Sequence, residues 1–187
     1  MKSYWNNQET KIMSKEFTIT VFSENKTGIL SRVIGIVTRR HINIESLSAS
    51  KSSMAGIHRI TITVIETNDN VRKLVAQIDK QIDVLKSFFY ENTDLVFQEI
   101  ALYKIPSEGF FNGEELERMI RKHNARILTI ESEYIVIEKT GHKDETEALL
   151  TELKKTGIYE FVRSGKVAIV KPMERLNAYL RELEENN

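Results

Sequence analysis

The residues from Glu24 to Ser50 offer the clearest chemistry in the sequence, which is a small-molecule site built mostly from backbone. Thr27 can cap a helix and Gly28 opens it, but Leu30 stands where a capping box would place Glu or Gln. We therefore expect the amide groups of the first helical turn to be partly unsatisfied. Unsatisfied amides at the positive end of a helix dipole favour a carboxylate ligand.

Two asparagines flank this predicted helix. Asn25 lies beside the loop, where its side chain can hydrogen-bond an α-ammonium group, and Asn43 opens the next strand near the same helix. In a simpler interpretation, Asn25 and Thr27 only close a turn, as such residues usually do. The spacing alone favours that simpler interpretation.

Catalytic motifs are missing from the sequence. It contains no Gly-rich phosphate loop of either common pattern, no nucleophile elbow and no cysteine. The four histidines are too scattered for a local metal motif, and each is expected to have a surface or packing role; they are His41, His58, His123 and His142. We predict no catalytic residue and no metal site.

Composition limits the possible partners and compartments. The 187 residues allow one domain or two small ones. Lys plus Arg and Asp plus Glu are 27 each, so no net charge favours nucleic acid or an anionic membrane. No apolar run is long enough to span a bilayer, and the N-terminus lacks the apolar core of a secretory signal. With no cysteine present, we expect a cytoplasmic protein.

Hydrophobic periodicity predicts the same order of strands and helices twice, which is typical of an α+β fold with helices on one face of an antiparallel sheet. The second helix is predicted from apolar residues at helical spacing that run from Val71 to Ile82. The predicted elements of the first half are Glu16–Glu24, Gly28–Arg40, Asn43–Lys51, Ile57–Glu66, Asn70–Ile82 and Asp83–Tyr90. Those of the second half are Leu95–Ile105, Gly113–His123, Arg126–Glu131, Glu133–Glu138, Lys143–Lys155, Ile158–Val162 and Lys166–Val170.

Six segments, in order along the chain, resemble the small regulatory subunit of acetolactate synthase, whose N-terminal part is an ACT domain. Together they cover the chain from about Phe17 to Val170. The segments are Glu24–Gly35, Asn43–Leu47, His58–Ile62, Lys80–Leu85, Glu99–Lys104 and Arg163–Ala168. A single Asn-x-x-Gly would mean little, whereas this ordered set is specific.

The resemblance implies two tandem ferredoxin-like βαββαβ domains. We expect a flexible N-terminal extension at 1–14, an ACT domain at 15–91 and a second ferredoxin-like domain at 95–171. An amphipathic helix is expected at 172–187, with an apolar stripe of Leu176, Tyr179, Leu180 and Leu183.

The resemblance also implies a function. The chain would be a non-catalytic subunit that activates the large catalytic subunit and confers feedback inhibition by valine or another branched-chain amino acid. Thiamine diphosphate, Mg²⁺ and FAD are expected only in the catalytic subunit, because the Gly-Asp-Gly element that holds the diphosphate and metal in that enzyme class does not occur here.

Effector-binding residues follow from the same resemblance. Two ACT domains are expected to pair side by side into a homodimer, with the ligand at the seam. The expected site residues are Asn25 for the ammonium group, Gly28 to Leu30 for the carboxylate, Ile29, Leu30 and Ile44 for the apolar side chain, and Asn43 of the neighbouring chain to close the site.

Two other functions remain open at this stage. One is a free-standing amino-acid-sensing ACT protein that controls transcription or another enzyme. The other is a metal-sensing ferredoxin-like domain whose four histidines converge in space. One departure from the family pattern concerns the site: His41 stands where the family commonly has Gly, which predicts an altered exit from the first helix.

Overall fold

A computed structural model of the chain describes residues 14–108, 114–171 and 181. The main division between two compact units falls between Glu91 and Asn92. Among the described residues, no helix has the length and apolar character needed to cross a membrane. The expected N-terminal extension lies outside the described residues except for Ser14, and the C-terminal apolar stripe lies wholly outside them.

The first unit is a ferredoxin-like βαββαβ domain, as predicted. Its strands form one sheet in the order β2-β3-β1-β4, in which β1 pairs antiparallel with both β3 and β4 and β2 lies at an edge. The elements are β1 (Lys15–Glu24), α1 (Ile29–Arg39), β2 (Ile44–Lys51), β3 (Ile57–Glu66), α2 (Asn68–Ile78) and β4 (Val84–Glu91).

Alternation along β1 creates the core of this unit. Phe17, Ile19 and Val21 point to one face and are fully buried, because successive strand side chains alternate between faces. The helices close that face with apolar residues at helical spacing. These buried residues are Val33, Ile36 and Val37 on α1 and Val71, Leu74, Val75 and Ile78 on α2.

The second unit repeats the same order and is also ferredoxin-like. Its sheet has the order β6-β7-β5-β8, and β9 also pairs with β5. The elements are β5 (Leu95–Pro106), α3 (Glu114–Lys122), β6 (Arg126–Ile130), β7 (Tyr134–Gly141), α4 (Lys143–Leu153), β8 (Glu160–Arg163) and β9 (Val167–Val170).

The last strand of the second unit is broken into β8 and β9, which pair with successive parts of β5. The break falls at residues 164–166, close to the gap between the strands predicted at Ile158–Val162 and Lys166–Val170. Ser164 fixes the break twice, since its Oγ accepts a hydrogen bond from the Ile100 amide at 2.9 Å and its own amide donates to the Ile100 oxygen at 2.8 Å. The Arg163 side chain pairs with Glu99 at 3.2 Å and with Glu147 of α4 at 2.9 Å.

The predicted bounds of the second helix were wrong at both ends. The helix begins at Asn68 rather than Asn70, because the Thr67 side chain accepts a hydrogen bond from the Asn70 amide and caps the first turn. It ends at Ile78, and Ile82 is 79% exposed instead of belonging to the core. Asp79 ends the helix, since its carboxylate accepts the amide of Ser87 on β4 at 2.6 Å.

At the exit of α1, His41 adopts a glycine-like backbone conformation. His41 takes a left-handed conformation, with φ of 55°, which is the conformation that a glycine would adopt at this position. Its amide donates to Thr38 at 2.9 Å and the Ile42 amide donates to Val37 at 3.3 Å, which together form a Schellman motif. This glycine-like exit carries the backbone strain of a residue with a Cβ atom.

We expect His41→Gly to stabilise the protein by about 0.5–1 kcal/mol, because a left-handed backbone is unfavourable for any residue with a Cβ atom. Chemical denaturation of both proteins measures the change. His41→Ala is the matched control, since it also removes the imidazole but keeps the Cβ atom, and it should not stabilise. Equal stability changes in the two variants would show that the side chain, and not the backbone conformation, is responsible.

Candidate ligand site at the start of the first helix

The backbone at the start of α1 is set by Gly28. This residue is the N-cap, with φ of 88° and ψ of −9°, and no side chain accepts a hydrogen bond at the cap. Thr27 therefore does not cap the helix, contrary to the sequence prediction. The conformation is left-handed, and a Cβ atom built on Gly28 would meet no heavy atom within 4 Å. Glycine is thus favoured here by its backbone and not by crowding.

Amide groups of the first helical turn are unsatisfied, as expected. The Arg32 amide donates to the Gly28 oxygen at 3.0 Å, and the Ile29 amide makes a longer bond of 3.4 Å to Lys26. The amides of Leu30 and Ser31 find no acceptor within the described part of the chain. Two free donors at the positive end of a helix are suited to a carboxylate.

Three charged side chains form a network beside these amides. The Asp83 carboxylate accepts hydrogen bonds from Lys26 at 2.8 Å and from Arg32 at 2.6 Å. The contacts from Lys26 and Arg32 hold the pKa of the Asp83 carboxyl below its usual range, and the contact with Asp83 raises the pKa of Lys26. Glu24 also pairs with Lys26 at 2.7 Å. Asp83 and Lys26 are therefore both charged at neutral pH.

Asp83 was not identified as a site residue from the sequence. It is separated from Lys26 by 57 residues and from Arg32 by 51, so no local spacing relates them. Its position within Lys80–Leu85, one of the segments that carry the family resemblance, was the available signal. That signal does not indicate which loop the side chain contacts.

Asn25 borders an open cavity of about 380 Å³ within the first unit. Its amide donates to the Gly56 oxygen at 3.0 Å, which joins the loop to the turn between β2 and β3. The side chain of Asn25 is exposed. The cavity is lined by Asn25 and by Lys51 to His58, and none of the other predicted site residues borders it.

The remaining predicted residues occupy different environments. Ile29 is only 6% exposed, so its side chain belongs mainly to the core. Leu30 and Ile44 are half-buried and retain accessible apolar surface. Asn43 is exposed, and its side-chain amide donates to Glu45 at 3.0 Å. Asn25 and Gly28 lie in the loop before α1 and Leu30 lies in its first turn, whereas Asn43 immediately precedes the edge strand β2 and Ile44 begins it.

The four histidines do not form a metal site. Within residues 14–108, 114–171 and 181, no three or more His, Cys, Asp or Glu side chains gather in a way that could hold a metal ion. His123 contacts Glu152 at 2.7 Å, and hydrogen bonds from His123 and Lys122 lower the pKa of Glu152 to about 2. His142 is the N-cap of α4. The described residues thus give no support to a metal-sensing function.

Two protein-family models match the chain, one in each unit. The model described as the AHAS small subunit-like ACT domain matches residues 19–86, and the model described as the small subunit of acetolactate synthase matches residues 98–172. The acetolactate synthase small subunit of Bacillus subtilis is 36% identical over 85% of this chain and 91% of its own length. The chain belongs to the acetolactate synthase small-subunit family.

Other members of the small-subunit family show a similar relationship. The probable acetolactate synthase small subunit of Archaeoglobus fulgidus is 34% identical over 82% of this chain and 96% of its own length. The crystal structure of the acetolactate synthase small subunit from Thermotoga maritima superposes with a TM-score of 0.77, at 24% identity, and covers 84% of this chain and 98% of that one. These matches confirm the resemblance and the tandem ferredoxin-like fold.

Proposed function

We propose that this chain is the regulatory subunit of an acetolactate synthase, and that it binds and activates a separate catalytic subunit. In this proposal thiamine diphosphate, Mg²⁺ and FAD belong to the catalytic subunit and no catalytic residue lies in this chain. Its second role is feedback inhibition by valine or another branched-chain amino acid. The family matches in both units support the first role, and the start of α1 supports the second.

The observation that carries the effector proposal is the pair of amides at Leu30 and Ser31, which find no acceptor among the described residues. They donate to the carboxylate of the amino acid, and the exposed side chain of Asn25 accepts from its ammonium group. The apolar side chain of the ligand rests on Leu30 and Ile44. Ile29 supports these contacts from the core, since its own exposed surface is small.

A second copy of the chain completes this site. Neither face of the edge strand β2 is strongly apolar, and edge strands of this kind can pair with a strand of another chain. Two first units joined at β2 form a continuous sheet, and this arrangement carries Asn43 of one chain towards the Gly28 loop of the other. The exposure of Asn43 is consistent with such a role. Ligand binding at the seam then favours one subunit arrangement over another.

We expect the purified chain to make no acetolactate from pyruvate when thiamine diphosphate and Mg²⁺ are supplied. Mixed with its catalytic subunit, it should raise the rate of acetolactate formation and make that rate sensitive to valine, leucine or isoleucine. The assay compares the chain alone, the catalytic subunit alone and the mixture, each with and without the amino acids.

Each result of this assay has a distinct meaning. Turnover by a preparation free of catalytic subunit would contradict the non-catalytic role. A chain that binds a branched-chain amino acid but neither binds nor activates the catalytic subunit would instead be a free-standing sensor of the ACT class.

A further inference from the structure

Asp83 ties both flanks of the Gly28 loop to the start of β4. One carboxylate oxygen accepts from Lys26 at 2.8 Å and the other accepts from Arg32 at 2.6 Å, while the Asp83 backbone oxygen accepts from the Glu24 amide at 2.9 Å. Gly28 lies between the two cations in the sequence. A single residue therefore holds both sides of the segment that carries the free amides.

The backbone of Asp83 supports this arrangement. It has a φ of 73°, in the left-handed region that residues with a Cβ atom rarely adopt and that Asp and Asn tolerate better than most. The side chain is 11% exposed and is therefore held between its two cations. An unfavourable backbone conformation that places a charged group beside a candidate binding loop indicates a functional role.

The network also balances the charge around the loop. Lys26 and Arg32 supply two positive charges, and Glu24 and Asp83 supply two negative charges. Without Asp83, the two cations would reinforce the positive end of the helix dipole and attract any small anion. With Asp83, the local charge is neutral apart from the helix end itself. This neutral rim of four side chains gives no extra attraction to an anion. It therefore favours, by comparison, a ligand that carries its own positive charge next to its carboxylate.

We propose that Asp83 is a specificity-determining residue, which makes the site prefer an amino-acid zwitterion over the 2-oxo acid anion of the same carbon skeleton. This inference rests on the proposed effector site. Asp83 acts through Lys26 and Arg32, by cancelling their field and holding the loop in place, and it does not contact the ligand. Such discrimination is a difference between two binding free energies, so it is measured as the ratio of the dissociation constants of the 2-oxo acid and the amino acid.

The test is calorimetric titration of the full chain with whichever of valine, leucine and isoleucine binds best, and with its 2-oxo acid. Asp83→Asn removes the charge but keeps the size and the tolerance of a left-handed backbone. We expect the preference for the amino acid over the 2-oxo acid to fall about fivefold, the size of effect expected for one charge near a solvated surface. Asp69→Asn is the matched control, because it breaks the exposed 2.6 Å pair with Lys73 in the same unit and should leave the ratio unchanged.

Lys26→Gln should change the preference in the opposite direction from Asp83→Asn. It removes one positive charge from the rim, so the preference for the amino acid over the 2-oxo acid should rise. This variant also keeps the inference testable if Asp83→Asn fails to fold.

The outcomes separate this inference from the function on which it rests. If wild type binds none of the three amino acids, the effector proposal fails first and the role of Asp83 fails with it. If wild type binds and the ratio in Asp83→Asn is unchanged, or both affinities fall equally, then Asp83 does not determine specificity and the effector proposal stands.

Discussion

Gly28→Asp should abolish binding of the branched-chain amino acid, while the fold and the activation of the catalytic subunit are largely retained. The new carboxylate would lie at the helix start, next to the amides of Leu30 and Ser31 that are proposed to bind the carboxylate of the ligand. Two like charges 4 Å apart repel by about 4 kcal/mol near a protein surface, which corresponds to a loss of affinity of about 700-fold.

The structure supplies the control for this experiment. Because Gly28 has a φ of 88°, any substitution introduces backbone strain, although a Cβ atom there meets no neighbour. Asn and Asp have similar size and both tolerate the left-handed region, so Gly28→Asn introduces the same strain without the charge. Calorimetric titration should show a modest loss for Gly28→Asn and no detectable binding for Gly28→Asp. Normal binding by folded Gly28→Asp would place the pocket elsewhere.

The second large effect is expected from mixed dimers of two defective variants. Asn43→Ala should weaken binding by about 1–3 kcal/mol, the usual cost when a polar group that is buried in the complex loses its partner. If Asn43 closes the site of the neighbouring chain, a heterodimer of Gly28→Asp and Asn43→Ala has one site with both defects and one site with neither. Co-expressed chains should therefore regain feedback inhibition that neither variant shows alone, at an amino-acid concentration between the dissociation constants of wild type and Asn43→Ala.

This complementation distinguishes a shared site from a site within one chain. In the second case, each site of the heterodimer keeps one defect and inhibition is not recovered. Differently tagged chains allow the heterodimer to be purified and its stoichiometry to be measured by light scattering. A strictly monomeric chain at micromolar concentration, with and without the amino acid, would also contradict the shared site.

Local patterns in the sequence were sufficient to predict most of the fold. The strand Ile57–Glu66 was predicted with its observed bounds, because apolar and polar residues alternate from Ile60 to Val64 at its centre. The ordered motifs from Glu24 to Ala168 identified the family, and the two family models confirm it. The free amides at the start of α1 were also predicted, since Leu30 cannot act as the acidic partner of a capping box.

Contacts between distant residues decided what the sequence did not predict. The second helix stops at Ile78 because Asp79 binds Ser87 on another strand, and this contact leaves Ile82 exposed. His41 retains the exit geometry of a glycine because the Schellman hydrogen bonds and the burial of Ile42 outweigh the strain at a single residue.

Some features of the candidate site were likewise predictable from the sequence, and others became evident only in the tertiary structure. The sequence by itself determined the helix start, the glycine and the family, because these depend on residues close together in the chain. Only the tertiary structure brought Asp83 to Lys26 and Arg32, placed Ile29 mainly in the core and exposed Asn43 just before the edge strand β2. Charge balance and burial depend on residues that are neighbours in space, and no periodic pattern in the sequence predicts which residues at this site become neighbours.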